Sequence, residues 1–146
     1  MTEKLPRPEE CNCFAIRSAA RHVSQYYDRY LAATGLRTTQ FSILAKLKRL
    51  GPLTINELAR QMVMDRTTLG RNIKPLERDG LVSIEPVQSD RRAKELRLTK
   101  TGEKQLEAGI EAWSRAQTGF ESTFGPRHAA ELRRVLRNVI ATEFRP

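Results

Sequence analysis

The stretch Thr54–Thr99 constrains the fold more than any other part of the chain. It opens with the capping box Thr-Ile-Asn-Glu, in which a hydroxyl and a carboxylate each accept a hydrogen bond from a backbone N–H at the start of a helix. After one short helix, Asp65 can cap a second, which is predicted to run to about Arg78. Leu81–Val87 and Glu95–Thr99 then alternate apolar and polar residues, as paired strands do. Two helices followed by a hairpin predict a helix-turn-helix with a wing.

The second of these helices is predicted to have one apolar side and one polar side. Leu69, Ile73 and Leu76 recur at helical spacing and indicate the buried side. Pro75 is expected to bend the last turn, because proline donates no backbone hydrogen bond. The other face is left for a partner, and its candidate contact residues are Arg66, Thr67, Thr68, Arg71, Asn72 and Lys74.

Positive charge is concentrated in this same part of the chain. The whole chain has a formal net charge of +9 and a pI near 10.2, which favours an acidic partner such as nucleic acid. The stretch 66–74 contains three basic residues and no acidic one, and three of the four residues in 91–94 are basic. The charge therefore lies where a winged helix-turn-helix would meet a phosphate backbone.

The segment Ser89–Lys94 is polar and rich in arginine, and it is predicted to form the tip of the wing. Arg91 and Arg92 are expected to approach the minor groove, because a narrow groove concentrates negative potential. One of them is expected to pair with Asp90, since an unpaired acid beside DNA repels phosphate. Together with Lys94, these residues are the candidate DNA contacts of the wing.

Further amphipathic helices are predicted on both sides of this unit. Apolar residues three and four apart predict helices over Cys13–Leu31, from about Thr39 to Leu50, and over Lys100–Thr118. A last helix is predicted after Gly125-Pro126, because proline suits the first helical position. The apolar faces of the first and last helices are expected to wrap around a second subunit.

These elements predict a fold that is mainly α with a small β-hairpin wing, a winged helix-turn-helix flanked by dimerisation helices. We expect a single domain over residues 1–146. Within it, residues 37–99 are expected to form the DNA-binding lobe, and residues 10–35 and 100–146 the helical dimerisation region.

Several other classes of protein find little support in the sequence. No apolar run is long enough to span a membrane and residues 1–10 lack the apolar core of a signal peptide, so a cytoplasmic protein without membrane contact is expected. The chain has two histidines, no glycine-rich phosphate loop and no recognisable catalytic constellation, so an enzyme is not expected. Cys11, Cys13 and His22 do not match a structural zinc spacing, and neither a metal nor a cofactor is expected.

The order of elements and several motifs resemble the multiple-antibiotic-resistance regulator (MarR) family of winged-helix repressors. Asp90-Arg91-Arg92, followed by Leu96-Arg97-Leu98-Thr99 and Gly102, is similar to the wing signature of that family in residue type and spacing. The family's helix-turn-helix is matched by Leu58-Ala59, Asp65-Arg66-Thr67-Thr68 and Leu76-Glu77-Arg78-Asp79-Gly80-Leu81-Val82.

The resemblance implies a homodimer that binds double-stranded DNA at a palindromic operator, represses transcription, and is released by a small molecule or an oxidant. It also implies that the second helix enters the major groove. There Thr67, Thr68, Arg71 and Asn72 would reach base edges, with Arg66 and Lys74 on phosphates. Arginine suits guanine and asparagine suits adenine, because each side chain matches two groups on the base edge.

One candidate trigger for release is oxidation of a thiol. Cys13 resembles the reactive cysteine of the organic-hydroperoxide sensors in this family, and Tyr27 resembles one of their tyrosines, whereas Arg17 and Thr38 stand where those sensors carry others. Arg17 lies one helical turn after Cys13, where a cation favours the thiolate. A disulfide between Cys11 and Cys13 would close a tiny strained ring, so pairing within one chain is not expected, and pairing across the dimer is open.

The alternative trigger is a small aromatic or acyl effector in a cleft between the dimer arms and the DNA-binding lobe. Its candidate lining residues are Arg17, His22, Tyr26, Tyr27 and Tyr30. The plainer interpretation is that these side chains, like Cys13, pack in the core or the dimer interface. A winged helix can also bind proteins instead of DNA, but the basic face favours DNA.

Overall fold

Long helices at both ends of the chain enclose a winged helix-turn-helix in the computed structural model, which describes residues 5–146. Short 3₁₀ turns occur at Pro8–Glu10 and Ala32–Thr34. The helices and strands are α1 (Asn12–Leu31), α2 (Thr38–Leu50), β1 (Leu53–Thr54), α3 (Ile55–Met62), α4 (Arg66–Arg78), β2 (Val82–Val87), β3 (Asp90–Leu98), α5 (Lys100–Phe124) and α6 (Pro126–Ala141). The predicted fold class, mainly α with a small β wing, is confirmed.

Side-chain caps fix where the central helices begin. The predicted capping box starts α3, where the Glu57 N–H donates to Thr54 Oγ1 over 3.2 Å and the Thr54 N–H donates to Glu57 Oε2 over 2.9 Å. Asp65 caps α4 as predicted, because its Oδ1 accepts from the Thr68 N–H over 2.8 Å. Caps of this kind stabilise a helix by about 1 kcal/mol each.

The turn between α3 and α4 has a conformation that the sequence does not predict. Val63 ends α3 with φ 53°, in the left-handed region that a β-branched residue rarely adopts. Its side chain is 67% exposed, and the next N–H, that of Met64, donates to the Ala59 carbonyl over 2.9 Å. This tight turn sets the angle between α3 and α4.

One continuous apolar core joins the helix-turn-helix to the flanking helices. Leu69, Ile73 and Leu76 of α4 are 0%, 4% and 1% exposed, so the predicted buried side of that helix is confirmed. Burying a leucine fully contributes about 2 kcal/mol, and three such residues prevent α4 from rotating about its axis. The other fully buried large side chains of the core are Leu31, Ile43, Leu44, Leu58 and Leu96.

The wing is a three-stranded antiparallel sheet in the order β1-β3-β2. Strand β1 was not predicted, because two residues are too few to show an alternating pattern; Leu53 pairs with Leu96. The predicted second strand of the hairpin starts too late, since β3 begins at Asp90 instead of Glu95. The turn of the hairpin therefore lies at Gln88–Ser89, and the prediction that Ser89–Lys94 forms the tip is wrong.

Helix α5 is longer than predicted, since it runs to Phe124 and not to Thr118. It ends where Gly125 adopts φ 102°, directly before Pro126. Aromatic packing accounts for the extra turns, because Phe120 lies within ring contact distance of both Tyr27 and Phe124. None of the helices within residues 5–146 combines the length and the apolar character needed to cross a membrane.

The end of the wing, the end of α4 and the start of α5 meet at one junction. The Thr99 N–H donates to the Leu81 carbonyl over 3.1 Å, and the Thr99 hydroxyl donates to the Gly80 carbonyl over 2.6 Å. The same hydroxyl oxygen caps α5 by accepting from the Gly102 N–H over 2.9 Å. A Cβ on Gly102 would overlap the Leu81 carbonyl oxygen and lie 2.7 Å from Leu98 Cδ1, so only glycine fits.

Candidate nucleic-acid interface

The polar face of α4 lies on the side of the helix that points away from the core. Arg66, Thr67, Arg71 and Lys74 are exposed on it, and the last three recur at spacings of four and three. Within residues 5–146, none of the three cations is ion-paired, so their charges are available to a partner.

Two of the predicted contact residues on α4 are instead engaged with their own helix. Thr68 is half-buried, and both its N–H and its hydroxyl donate to the Asp65 carboxylate, over 2.8 and 2.9 Å. These two hydrogen bonds lower the pKa of the Asp65 carboxyl below its usual value, so the cap is charged. Asn72 is also half-buried and donates from Nδ2 to the Thr68 carbonyl over 2.9 Å, which leaves its Oδ1 and the second N–H of Nδ2 for a partner.

A further residue of this face was missed by the sequence analysis. Gly70 lies between Thr67 and Lys74 on α4, and a Cβ built there would meet nothing within 4 Å. A glycine inside a helix destabilises it by about 1 kcal/mol relative to alanine, so packing within the protein does not account for its presence. Its effect is to leave the helix backbone accessible in the middle of the polar face.

The predicted wing contacts Asp90, Arg91, Arg92 and Lys94 are all exposed on β3. The predicted ion pair between Asp90 and one of the arginines is wrong. Asp90 Oδ1 accepts instead from the Arg92 backbone N–H over 3.0 Å, because that amide has no partner on β2. Among the described residues, neither arginine side chain forms an ion pair.

The charge of the neighbouring Arg97 is satisfied within the protein. Its Nε lies 3.3 Å from Glu85 Oε2, and its Nη2 lies 2.5 Å from Glu95 Oε1. Arg97 and Arg91 both line a cleft that runs along the end of β2 to the hairpin turn at Gln88. Residues 36–99 as a whole contain thirteen basic and seven acidic side chains, so this lobe carries most of the net charge of the chain.

The candidate sensor residues do not converge on one cavity. Tyr27 lies in a cleft of about 590 Å³ between α1, α5 and α6, and its hydroxyl donates to Gln117 Oε1. Burial raises the pKa of Tyr27. His22 and Tyr26 line an adjoining cleft of about 600 Å³, where the Tyr26 ring meets the Tyr30 ring edge-on at 5.3 Å between centroids.

Cys13 and Arg17, both exposed on α1, are not among the residues that line either cleft. Cys11 is also exposed, and its Sγ accepts from the Phe14 N–H at the start of α1 over 3.4 Å. In residues 5–146, no three histidine, cysteine or acidic side chains lie close enough to hold a metal ion.

A helix with an exposed basic face, held beside a basic three-stranded wing, defines the class of winged-helix DNA-binding proteins. Comparison with known proteins assigns the family. The MarR family model matches residues 36–94. The transcriptional regulator MosR from M. tuberculosis, in its complex with DNA, is 35% identical in sequence to this chain, and the two structures superpose with a TM-score of 0.79. The match covers 92% of this chain and 100% of the MosR chain. The chain belongs to the MarR family of transcriptional regulators, and it is not an enzyme.

Two further relatives are similar over different extents. The transcriptional activatory protein BadR from Rhodopseudomonas palustris is 32% identical over 92 residues, which are 61% of this chain and 53% of BadR. The chain thus spans about half the length of that curated relative. The structure of reduced AbfR bound to DNA is 31% identical, with a TM-score of 0.67, and covers 88% of this chain and 92% of AbfR.

Proposed function

We propose that this chain acts in the cytoplasm as a homodimeric repressor that binds a palindromic operator and is released by a small-molecule effector. The observation that carries the proposal is the exposed polar face of α4 beside a wing whose two arginines have no acidic partner among the described residues. The size and shape of α4 suit the major groove, which admits one α-helix. A DNA complex is known for MosR, at 35% identity.

The exposed apolar side chains of the terminal helices support a dimer. Phe14 and Ile16 of α1 are 47% and 44% exposed, and Leu136 and Ile140 of α6 are 37% and 63% exposed. Apolar surface of this extent on adjoining helices typically marks a protein interface. We therefore keep the division into a lobe at 37–99 and a dimerisation region at 10–35 and 100–146, both within a single domain over 1–146.

We propose that the exposed residues of α4 and β3 contact different parts of the DNA. Arg71 reads a base edge, and Asn72 contributes through Oδ1, whereas Arg66 and Lys74 contact phosphates. Thr67 is exposed and can reach a base, but Thr68 acts mainly as part of the α4 cap. In the wing, Arg91 and Arg92 enter the minor groove. Asp90 and Lys94 flank them on β3.

Replacing Arg71 and Arg91 separately by alanine tests this division. Arg71→Ala should weaken binding to an operator selected from random duplexes by about 10- to 100-fold and should relax specificity at one base position, because a bidentate base contact is lost. Arg91→Ala should weaken binding to all duplexes about equally and make the dependence of log K on log salt shallower by about one. Fluorescence anisotropy titrations at several salt concentrations measure both effects.

A matched control for these titrations is Arg137→Ala, which removes the same charge from an exposed position on α6, outside the lobe. The DNA affinity of Arg137→Ala should stay within a factor of about two of the wild-type affinity. If Arg71→Ala loses the same DNA affinity for the selected operator as for unrelated duplexes, Arg71 does not read a base. An unchanged salt dependence for Arg91→Ala would contradict the proposed contact between Arg91 and DNA.

The proposed effector is a small aromatic or acyl compound that binds between α1 and α5. Tyr27, Gln117 and Arg133 place polar groups in the cleft there, whose lining is mainly apolar, and such convergence is typical of ligand sites. His22, Tyr26 and Tyr30 lie nearby, whereas Arg17 lies outside it. BadR is named as an activatory protein, so transcription from a reporter is the measurement that distinguishes repression from activation.

Thiol-based sensing of hydroperoxide is the second candidate, and the exposure of both cysteines favours it. Cys13 is solvent-accessible, and so is Cys11, whose Sγ accepts a hydrogen bond from the Phe14 N–H at the start of α1. The DNA complex of AbfR is described as that of the reduced protein.

Treatment with cumene hydroperoxide tests this second candidate. If Cys13 is the sensor, the oxidant should lower the DNA affinity of the wild type by about tenfold or more, and dithiothreitol should restore it. Cys13→Ser should remain insensitive. An equal loss of affinity in Cys13→Ser, or no loss in the wild type, would end this candidate and leave the small-molecule effector.

A further inference from the structure

Seven of the eight glycines lack a side chain for a reason within the protein itself. All eight lie within residues 5–146, and four of them adopt a positive φ that other residues rarely adopt: Gly35, Gly51, Gly80 and Gly125. Three others lie inside helices, where a Cβ would come too close to another group: Leu81 for Gly102, Phe41 for Gly109 and Tyr26 for Gly119. Gly70 has neither reason, because its φ is not positive and a Cβ there would meet nothing within 4 Å.

The presence of Gly70 weakens the helix to which it belongs. It lies in the interior of α4, where glycine is less favourable than alanine because its unfolded backbone has more conformational freedom to lose. No contact within the protein offsets this loss, since the space above Gly70 is open. A reason outside the protein is left, namely the partner of this face of α4, which is DNA.

The neighbours of Gly70 on the helix surface include three of the candidate DNA contacts. Residues three and four positions apart are neighbours on a helix, and for Gly70 these are Arg66, Thr67, Ile73 and Lys74. Only Ile73 of the four is buried, and the other three are exposed. Neither Arg66 nor Lys74 is ion-paired with a residue of the described chain. Gly70 is therefore flanked by two available positive charges.

Arg66, Gly70 and Lys74 form one row along α4, because side chains four positions apart line up as a ridge. The two cations are eight residues apart, which is about 12 Å along the helix axis. Without a side chain at Gly70, the ridge has a gap between two positive charges, and the floor of the gap is helix backbone. Such a gap suits a narrow anionic strand that crosses the helix. The sugar–phosphate backbone of DNA is a strand of this kind.

We propose that Gly70 sets how closely α4 approaches DNA. One strand of the sugar–phosphate backbone lies in van der Waals contact with the helix backbone at Gly70, between Arg66 and Lys74. Glycine permits this approach because it has no Cβ. The inference rests on the proposed phosphate contacts of Arg66 and Lys74. It adds a contact residue that has neither charge nor side chain, and whose presence costs α4 stability.

Gly70→Ala and Gly70→Leu test the inference, because they fill the gap with one and four carbon atoms and both residues favour helices. DNA affinity should fall by about tenfold for alanine and by about 100-fold for leucine, since overfilling a packed contact is costly. The loss should be equal for the selected operator and for unrelated duplexes, because every duplex has the same backbone. The melting temperature of Gly70→Ala should nevertheless rise by about 3 °C. A residue that matters only for the fold would not combine higher stability with weaker binding.

The matched control is Ala108→Leu, which enlarges an exposed side chain on α5, outside the polar face of α4. Its DNA affinity should stay within a factor of about two of the wild-type affinity. Fluorescence anisotropy measures the affinities, and thermal unfolding followed by circular dichroism measures the melting temperatures.

The double variant Arg66→Ala/Lys74→Ala separates this inference from the proposed function on which it rests. It should bind all duplexes more weakly, with a salt dependence shallower by about two. If it does so while both Gly70 variants bind like the wild type, the role of Gly70 is wrong and the phosphate contacts stand. If the double variant binds like the wild type at every salt concentration, the phosphate contacts are wrong, and the inference falls with them. If Gly70→Leu loses affinity only for the selected operator, a base edge lies at Gly70 instead of the sugar–phosphate backbone, and the inference is wrong.

Discussion

Gly102→Ala is expected to destabilise the protein by about 3 kcal/mol and to lower its melting temperature by about 10 °C. The added Cβ would overlap the carbonyl oxygen of Leu81 and lie 2.7 Å from Leu98 Cδ1. A backbone carbonyl cannot rotate away as a flexible side chain can, so the start of α5 must move. Such a movement would also lengthen the hydrogen bonds of Thr99 with Gly80 and Leu81.

Urea denaturation followed by circular dichroism measures this loss, and Gly70→Ala is its matched control. Gly70 is also helical, but a Cβ there meets nothing within 4 Å. Alanine should therefore stabilise that variant, by up to about 1 kcal/mol. Gly102→Ala should therefore lower the free energy of unfolding, and Gly70→Ala should raise it. Equal stability of Gly102→Ala and the wild type would mean that the junction tolerates a side chain.

Leu136→Asp/Ile140→Asp is expected to convert the proposed dimer into a monomer and to lower operator affinity by at least about 100-fold. The two residues lie one turn apart on α6 and are 37% and 63% exposed, so charges there would be buried without partners on association. A monomer would bind one half-site, and it would lose the advantage of two linked contacts.

Sedimentation velocity and DNA titration measure the two parts of this prediction. The control is Asn138→Asp, which adds a carboxylate at an exposed polar position of the same helix. It should remain dimeric. Circular dichroism should show an intact fold in both variants, because the core of the lobe contains neither α6 residue. A monomeric wild type, or a double variant that remains dimeric with full affinity, would contradict the role assigned to α6.

Local sequence signals predicted the elements that local interactions determine. The capping box at Thr54, the Asp65 cap and the apolar spacing of Leu69, Ile73 and Leu76 all act within one or two helical turns, so their pattern is visible in the sequence. These signals sufficed to identify α4 and its exposed face. They did not show that Thr68 and Asn72 bond to their own helix, because both side chains are equally suited to either role.

The features that the sequence did not predict depend on contacts between distant residues or on strained backbone. Strand β1 exists only because β3 pairs with it, and two residues show no period. The left-handed φ of Val63 contradicts the preference of its side chain, and surrounding structure imposes it. The change of register between Pro86 and Val87 in the wing hairpin is not visible in the alternation of apolar and polar residues.

The junction at Thr99 couples the orientation of α5 to the position of α4. The hydrogen bonds of Thr99 with Gly80 and Leu81, and the absence of a side chain at Gly102, join the end of α4 rigidly to the first turn of α5. Helix α5 has 25 residues and is therefore about 37 Å long. A tilt of about 5° at its far end displaces the near end by about 3 Å, close to the rise of one base pair. In the proposed dimer, a ligand that changes the angle of α5 by that amount would move the two copies of α4 out of step with the turns of the double helix.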